Sequence, residues 1–368
     1  MHGTILRTTN GGYNWINQTN PFTGTVKSFY GVSFTDAYTG TVVGENGTIL
    51  RTTDGGNSWV SQENTLSGTA KPISAVQFIN PTTAFACGYE GTILRTTSSG
   101  LKWESQISGT DNTLSDISFL DSNTGTIVGG NVILHTTNGG FDWIKQPNPM
   151  SGTQNWFNSV SFSDANNGTV VGNIGTILHT TDGGNNWISQ PSGMNDIIFC
   201  GVSFANKNNG IVVGYGGTIL KTTNAGINWF SQLCGTNLTL QSVSYVDTNT
   251  ASIAGWYGTI LQTINGGEIT AIKYNDKYII PTHFYLSQNY PNPFNPTTTI
   301  SYELPKPSNI QLKVFDLLGR EVETLFKGEQ PAGKYEVNFN GSGLSSGIYF
   351  YMLKAGDFIG TKKLILLK

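Results

Sequence analysis

One tetrapeptide, repeated at nearly constant spacing, constrains this chain more than any other feature. Gly-Thr-Ile-Leu, or a variant of it, starts seven times, at residues 3, 47, 91, 131, 175, 217 and 258. Successive copies lie 40 to 44 residues apart, and six of them continue to a tryptophan. Six of the eight tryptophans therefore occupy one position of the repeat, which chance does not produce. A fixed period of this length predicts a fold of similar, stacked units.

Each unit predicts four short strands. Two apolar stretches precede the tetrapeptide, as Gly31–Phe34 and Thr41–Gly44 illustrate, and turn clusters such as Asn206–Gly210 separate them. Four strands every 40–45 residues are typical of a β-propeller blade, because stacking buries the faces that a single sheet leaves open. The composition supports an all-β chain, since it has 46 glycines, 12% charged residues and 11% aromatic residues. The predicted fold is therefore an all-β β-propeller over residues 1–270.

The ends of the repeat array leave the blade count open. Seven copies of the third strand favour a seven-bladed propeller, and a six-bladed one is the alternative. The first copy lacks its two upstream strands, and the last copy lacks the tryptophan. Either the two ends complete one another across a closure, or the start of the chain is truncated or misassigned. We expect the truncated start, and residues 1–6 also lack the basic start and the apolar run of a signal peptide.

A second motif, T-x-[DN]-x-G-x-x-W, joins the third and fourth strands. Complete copies contain Asp54 and Trp59, and again Asp182 and Trp187. We interpret it as a hairpin turn in which the Asx side chain accepts hydrogen bonds from backbone N–H groups two or three residues on. The glycine is expected at positive φ, and the tryptophan between blades with a partner for its N–H. The motif resembles the Asp box of sialidase-like propellers, which implies a structural role for these turns.

The complete repeat, GTIL-[RHK]-TT-[DN]-GG-x-x-W, is similar to that of one family. It resembles the propeller repeats of the photosystem II stability/assembly factor family and its non-photosynthetic relatives, over roughly residues 1–270. The resemblance implies a seven-bladed propeller. The activity in the family's name is not carried over, because the C-terminal part of the chain points to a different setting.

The last 98 residues differ in composition from the repeats. They hold seven of the 13 prolines, and the net charge changes from −6 in residues 1–270 to +3 in residues 271–368. Residues 271–282 are predicted to be a linker, because they are polar and carry no blade pattern. Six or seven strand patterns in residues 283–368 predict a small β-sandwich.

This C-terminal part resembles the type A C-terminal sorting domain of the type IX secretion system. The matching stretches are NYPNPFNPTT (Asn289–Thr298), VFDLLGREV (Val314–Val322), LSSGIYFYML (Leu344–Leu353) and KKLILLK (Lys362–Lys368). The resemblance implies export by a Bacteroidota-type bacterium to the medium or the outer-membrane surface, with the secretion machinery as a partner. It places the sorting signal on residues Lys362, Lys363 and Lys368. The alternative is a generic sandwich appended for binding.

Two sets of residues are candidates for a binding face. Basic residues follow the repeated tetrapeptide in six copies, namely Arg7, Arg51, Arg95, His135, His179 and Lys221. They predict either a cationic crown for an acidic partner or glycan, or side chains packed over neighbouring tryptophans or paired with turn carboxylates. The second set precedes the tetrapeptide and varies between copies: Glu45, Tyr89, Tyr215 and Trp256. Variable residues on a constant frame are where binding specificity usually lies.

The sequence carries no motif for catalysis, a cofactor or a metal. HExxH, GxSxG, P-loop, GxGxxG and EF-hand patterns are missing. A sialidase needs three converging arginines, and the three arginines of the repeats occupy one repeat position. The three cysteines, Cys87, Cys200 and Cys234, have no metal-binding spacing, so we expect buried free thiols, with a Cys200–Cys234 disulfide as the alternative.

These observations predict a secreted propeller that binds a protein or a glycan and is not an enzyme. The alternative is a secreted sialidase-like or other glycan hydrolase. A net charge of −3 argues against nucleic-acid binding, and no apolar run reaches the 18 residues of a membrane span.

Overall fold

The computed structural model describes residues 3–12, 15–22, 27–64, 66, 71–153, 155–263, 283–330 and 333–367. The chain forms two compact units, Met1–Lys273 and Tyr274–Lys368. Both are built from strands, with three single-turn 3-10 helices in the first, so the all-β prediction is confirmed. The predicted linker, residues 271–282, lies outside the described residues, as does Lys368.

The described residues of the first unit form seven antiparallel sheets, which we number 1 to 7 along the chain. Sheet 1 consists of β1 (Ile5–Arg7) and β2 (Ile16–Gln18). Sheet 2 consists of β3 (Phe29–Phe34), β4 (Gly40–Gly44), β5 (Ile49–Thr52) and β6 (Val60–Ser61). Sheet 3 consists of β7 (Ile73–Phe78), β8 (Ala84–Gly88), β9 (Ile93–Thr96) and β10 (Glu104–Gln106). Sheet 4 consists of β11 (Asp116–Phe119), β12 (Gly125–Gly129), β13 (Val132–Thr136) and β14 (Ile144–Gln146).

The remaining sheets repeat this arrangement. Sheet 5 consists of β15 (Phe157–Phe162), β16 (Gly168–Gly172), β17 (Ile177–Thr180) and β18 (Ile188–Ser189). Sheet 6 consists of β19 (Phe199–Phe204), β20 (Gly210–Gly214), β21 (Ile219–Thr222) and β22 (Phe230–Ser231). Sheet 7 consists of β23 (Leu240–Tyr245), β24 (Ala251–Gly255) and β25 (Ile260–Thr263). The 3-10 turns span Glu45–Gly47, Tyr215–Gly217 and Trp256–Gly258.

The hydrophobic core lies between neighbouring sheets. Val43 and Ile49 of sheet 2, for example, form one buried cluster with Val76, Leu94 and Trp103 of sheet 3. Sheets 4 and 5, and sheets 5 and 6, form equivalent clusters. This packing explains why aliphatic residues occupy both faces of the repeated tetrapeptide strand: one face contacts the preceding sheet and the other the following one.

A hydrogen bond between first strands repeats from sheet to sheet. The N–H of Phe78 in sheet 3 donates to Ser33 Oγ in sheet 2, at 2.9 Å. The same bond links each later sheet to its predecessor, at 2.7–3.1 Å: Phe119 to Gln77, Phe162 to Ser118, Phe204 to Ser161 and Tyr245 to Ser203. A polar side chain near the end of the first strand, serine in four cases and glutamine in one, therefore joins each sheet to the next.

Glycine begins the second strand in sheets 2, 4, 5 and 6 because an aromatic ring covers that position. A methyl group on Gly40 would lie 2.6 Å from the ring of Phe34. The same ring packs edge-on against Trp59, with centroids 6.1 Å apart and planes at 87°. Glycine, phenylalanine and tryptophan thus form one packing unit, which explains why they recur together in the sequence.

Sheet 1 borders sheet 2 on one side and sheet 7 on the other. The turn glycines show that these sheets are neighbours. A methyl group on Gly55 of sheet 2 would lie 2.9 Å from Arg7 of sheet 1, and one on Gly12 of sheet 1 would lie 3.4 Å from Gln262 of sheet 7. Gln262 occupies the repeat position of Arg7. The number of blades stays a prediction, because sheets 1 and 7 contain two and three described strands.

The second unit is a β-sandwich of two sheets. One contains β26 (Tyr285–Leu286), β27 (Thr297–Leu304) and β30 (Gly333–Asn340). The other contains β28 (Ser308–Phe315), β29 (Glu321–Gln330), β31 (Gly347–Ala355) and β32 (Phe358–Leu366). Alternate residues of the strands face the shared core, in which Tyr302, Leu312, Phe339 and Tyr351 are buried.

The proline-rich stretch lies along β32 and connects two of the sequence motifs. Phe294 donates its N–H to the carbonyl of Ile365 and accepts the N–H of Leu367, both at 2.9 Å. Asn292 Oδ1 accepts the N–H of Ile365 at 2.9 Å. Lys362 and Lys363 lie on this same strand, so the edge that carries the predicted sorting signal is covered by the NYPNPFNP stretch.

Candidate functional site

The connections of each sheet in the first unit collect at two opposite ends. Because the strands are antiparallel, the connection from second to third strand lies at one end, together with the connection to the next sheet. We call this the loop end. The connections from first to second strand and from third to fourth strand lie at the opposite end, which we call the turn end.

The two predicted sets of binding residues lie at different ends. The basic set lies in the last part of the third strand, towards the turn end, as Arg51 in β5 shows. Glu45, Tyr89, Tyr215 and Trp256 precede the third strand and lie at the loop end. Each set therefore lies at one end of the sheets, with its members on different sheets, and the length of a strand separates the two sets.

The arginines of the basic set reach from one sheet to the turn of the next. Arg7 Nη1 donates to Asn57 Oδ1 at 3.1 Å, and Arg51 Nε donates to the carbonyl of Ser99 at 2.7 Å. The Arg95 guanidinium lies 5.1 Å from the ring centroid of Phe141 in the next turn. These contacts join neighbouring sheets, so the three arginine side chains are held against the turns of the protein itself.

The two histidines of the set contact their own sheets. Nδ1 of His135 lies 3.1 Å from Thr126 Oγ1, and Nδ1 of His179 lies 3.2 Å from Thr169 Oγ1. Burial lowers the pKa of both imidazoles below the ordinary value of 6.5. Both are therefore uncharged at neutral pH, and the positive charge of the set comes from the arginines and Lys221.

The turn motif is a closed network of local hydrogen bonds. Asp54 Oδ1 accepts the hydroxyl of Thr52 at 2.8 Å and the N–H of Ser58 at 2.9 Å. Thr52 Oγ1 accepts the N–H of Gly56, whose φ is +89°. Hydrogen bonds from Ser58 hold the pKa of Asp54 at about 2. The expected backbone bonding is confirmed in part: Thr52 takes the N–H two residues after Asp54, whereas the N–H groups of Asn57 and Ser58, three and four residues on, interact with the Asp54 carboxylate.

The copy at Asp182 repeats this geometry. Its Oδ1 accepts the Thr180 hydroxyl at 2.8 Å and the N–H of Asn186 at 2.9 Å. Trp187 is buried and packs edge-on against Phe162 at 5.9 Å between centroids. These hydrogen bonds and this ring contact therefore stabilise the turn and the sheet that carries it.

The expectation that each repeat tryptophan has a partner for its N–H was only partly right. Trp103 Nε1 donates to the carbonyl of Gly100 at 3.1 Å. The buried indole N–H groups of Trp59, Trp143 and Trp187 have no hydrogen-bond partner within the described part of the chain. Packing against phenylalanine therefore outweighs the lost hydrogen bond at these positions.

The loop end presents exposed aromatic side chains. Tyr and Trp residues that are at least two-fifths exposed occupy it in five of the seven sheets: Tyr30, Tyr89, Trp156, Tyr215, Trp256 and Tyr257. Tyr215 and Trp256 lie on neighbouring sheets with ring centroids 6.2 Å apart. Trp256 Nε1 donates to Gln241 Oε1 at 3.3 Å, which orients the indole on the surface.

Two carboxylates accompany these rings, and each has a partner. Glu45 accepts the Tyr30 hydroxyl and the N–H of Ser28, both at 3.1 Å, and the Ser28 N–H lowers the pKa of this carboxyl. Glu90 forms an ion pair with Lys71 at 2.9 Å between Nζ and Oε2. Glu45 is therefore charged at neutral pH.

A shallow depression also lies at the loop end, between sheets 4 and 5. It is lined by Trp156, Gly130 and five polar residues: Asp111, Asn112, Thr113, Asn131 and Thr153. The sequence marks Trp156 only as a tryptophan outside the repeat position. Its polar neighbours come from three connections, those before β11, between β12 and β13, and before β15, so no repeat signal predicted the site.

The cysteines and the possible metal ligands add no further site. Cys87, Cys200 and Cys234 are buried free thiols, as predicted. Burial raises the pKa of Cys200 to about 12, so its thiol is not reactive at neutral pH. Within the described ranges, no three His, Cys, Asp or Glu side chains form a group that could hold a metal ion. None of the helices described is long and apolar enough to cross a membrane.

The repeated sheets and turns define a repeat protein of the β-propeller class. The family model described as photosynthesis system II assembly factor YCF48 matches residues 1–112 and 101–194, which together cover more than half of the chain. The chain belongs to this family. A model described as a secretion system C-terminal sorting domain matches residues 288–367. This domain directs export by the type IX secretion system to the cell surface or the extracellular space.

Several solved structures are similar in fold to this chain. The chain is similar to YCF48 bound to a D1 peptide, with 21% identity, a TM-score of 0.60, and coverage of 71% of this chain and 85% of that one. It is similar to YCF48 from Cyanidioschyzon merolae, with 17% identity, a TM-score of 0.54, and coverage of 74% and 92%. An ancestral GH74 enzyme aligns with 13% identity, a TM-score of 0.54, and coverage of 89% and 58%. At these identities the similarity concerns the fold alone. No curated protein matches the chain.

Proposed function

We propose that the protein is an exported, non-enzymatic binding protein whose ligand site is the loop end of the propeller. The observation that carries the proposal is the concentration of exposed Tyr and Trp side chains there. These residues combine a large apolar surface with a polar tip, which suits them to binding interfaces.

The turn end offers less to a ligand. Its turns repeat one sequence motif, and their carboxylates and hydroxyls are bonded to one another, as around Asp54 and Asp182. The loop end differs from sheet to sheet, with Glu45, Tyr215 and Trp256 at one and the same repeat position. A constant frame that carries variable, exposed side chains favours recognition at the loop end.

The depression at Trp156 favours a glycan over a protein as the ligand. An indole face provides a stacking surface, and Asp111, Asn131 and Thr153 provide hydrogen-bonding groups beside it. Aromatic and polar groups side by side match a sugar ring, which has an apolar face and a rim of hydroxyl groups. Export to the cell surface or beyond places this site where glycans are available.

The test is a binding and turnover assay on purified full-length protein. A glycan array, including sialosides, is probed with the fluorescently labelled chain, and each bound glycan is then incubated with the protein and analysed for cleavage by mass spectrometry. We expect retention of at least one glycan class without cleavage. Cleavage that a single loop-end carboxylate variant, such as Glu45→Gln, abolishes would replace the proposal with a hydrolase. Binding of none of the glycans would leave a protein ligand as the proposal.

A further inference from the structure

The depression at Trp156 lies where sheet 4 has a shorter connection than its neighbours. Gly130 and Asn131 alone join β12 to β13, whereas four residues join the corresponding strands in sheets 2, 3, 5, 6 and 7. Gly129 and Val132 pair directly across this turn. Both turn residues line the depression, whose volume of about 480 Å³ is in the range of small-molecule sites.

The depression carries a single charge, the carboxylate of Asp111. Three connections contribute its lining, residues 107–115, 130–131 and 147–156, and their sequences contain no other charged residue. The Asp111 side chain is exposed, and its carboxylate forms no hydrogen bond or ion pair with the residues that the structure describes. A ligand in the depression therefore meets one negative charge and no positive charge from these connections.

The neutral side chains of the depression present more acceptors than donors. Asn131 Nδ2 donates to the carbonyl of Thr153 at 3.0 Å, and Asn112 Nδ2 donates to Thr110 Oγ1 at 3.2 Å. The Thr153 hydroxyl donates to a main-chain carbonyl at 2.7 Å. These bonds take up donor groups, so the oxygen lone pairs outnumber the N–H and O–H groups that remain for a ligand.

The indole of Trp156 suits a cation as well as the apolar face of a sugar. Half of this side chain is exposed. An indole ring attracts a cation through its quadrupole, more strongly than tyrosine or phenylalanine does. The depression therefore holds the two kinds of group that stabilise an ammonium ion, an aromatic face and a carboxylate that accepts a charge-assisted hydrogen bond.

We propose that the depression recognises a sugar with a free amino group, such as an unacetylated glucosamine unit of a glycan. This inference rests on the proposed function and names the class of glycan. A protonated amine is a donor of up to three hydrogen bonds and carries the charge that Asp111 attracts. N-acetylation removes that charge and a uronic acid reverses it, so sugars of both kinds bind less tightly.

The experiment compares three hexasaccharides by isothermal titration calorimetry with the full-length protein. They are the hexamers of glucosamine, of N-acetylglucosamine and of galacturonic acid, at a mildly acid pH at which the amine is protonated. Asp111→Asn removes the charge of the depression and keeps the shape of the side chain. Asp196→Asn is the matched control, because Asp196 is an exposed carboxylate in the connection between β18 and β19 of other sheets. A general attraction of the acidic propeller for a polycation responds equally to both variants. Circular dichroism checks that both are folded.

We expect the glucosamine hexamer to bind about tenfold or more tightly than the N-acetylglucosamine hexamer, as a hydrogen bond to a charged group predicts. The galacturonic acid hexamer should bind most weakly. Asp111→Asn should abolish the preference for the amine, and Asp196→Asn should keep it. The same preference in the unaltered protein and in Asp111→Asn, or an equal loss in both variants, would overturn the inference.

Further outcomes separate this inference from the proposed function. If the glucosamine hexamer does not bind but another glycan of the array does, the inference is wrong and the proposed function stands. If no glycan binds, the glycan ligand of the proposed function is wrong as well. Tighter binding of hexalysine than of the glucosamine hexamer would overturn the inference in favour of a protein ligand. Binding that EDTA abolishes would overturn it in favour of a metal ion bridging Asp111 and the sugar.

Discussion

The two ends of the propeller sheets differ in how their polar side chains are used. At the turn end, Asp54 and Thr52 bond to each other and to the backbone of the turn between β5 and β6, and the arginines contact the turn of the next sheet. At the loop end, aromatic side chains such as Trp156 and Tyr257 face solvent. The first end repeats and stabilises the fold, whereas the second varies and has groups available for a ligand.

The largest expected difference between the ends is in stability. Trp187→Ala should lower the free energy of unfolding of the propeller by about 3–5 kcal/mol, because it removes a buried indole that packs against Phe162. Trp256→Ala at the loop end should change it by less than about 1 kcal/mol, because that indole is 40% exposed. Urea unfolding followed by circular dichroism measures both. Equal losses would contradict the division between the two ends.

Asp182→Ala, within the turn itself, should lower the stability of the propeller by less than Trp187→Ala does. Asp182→Ala removes an acceptor for the Thr180 hydroxyl and for the N–H of Asn186. The turn is solvent-exposed around the carboxylate, so water replaces part of these bonds. We therefore expect a lower urea midpoint than for the unaltered protein, but a higher one than for Trp187→Ala. The reverse order would show that the hydrogen-bond network, and not the indole packing, holds the turn.

The histidines should make the turn end sensitive to acid. Because burial lowers the pKa of His135 and His179, the unfolded chain binds protons at a pH where the folded chain does not. Their contribution to stability is present above the unfolded pKa of 6.5 and is lost as the pH falls below it. His135→Gln combined with His179→Gln should flatten the fall in urea midpoint between pH 7.5 and 5. An unchanged pH profile in the double variant would show that other groups cause it.

The sequence predicted the parts of the fold that repeat. The spacing of the tetrapeptide and of Trp59 and Trp187 indicated the sheets, their strands and the turn motif, because each copy provides an independent observation of the same structure. The same pattern did not predict that Thr52 would take the N–H of Gly56, or that the indole of Trp187 would lack a partner. Both depend on distances within a turn, which residue types alone do not determine.

The candidate site was predictable only in outline. Repeat alignment identified Glu45, Tyr215 and Trp256 as variable positions on a constant frame, and the structure places them at the loop end. The alignment alone did not show that the basic residues lie at the opposite end. Nor did it show that Asp111 and Asn131 line the same depression as Trp156. Those residues belong to connections that differ in length from copy to copy, so their positions do not recur in the repeat and could not be predicted from it.

The most direct test of the binding face compares glycan binding by two variants whose fold should be unchanged. The same glycan array is probed with three full-length proteins: the unaltered chain, Trp156→Ala at the loop end, and Tyr38→Ala at the turn end. Both side chains are at least half exposed, so both variants should keep the unfolding midpoint of the unaltered protein. We predict that Trp156→Ala loses the bound glycans and that Tyr38→Ala keeps them. Loss of binding in Tyr38→Ala, with full binding in Trp156→Ala, would contradict the claim that the loop end is the binding face.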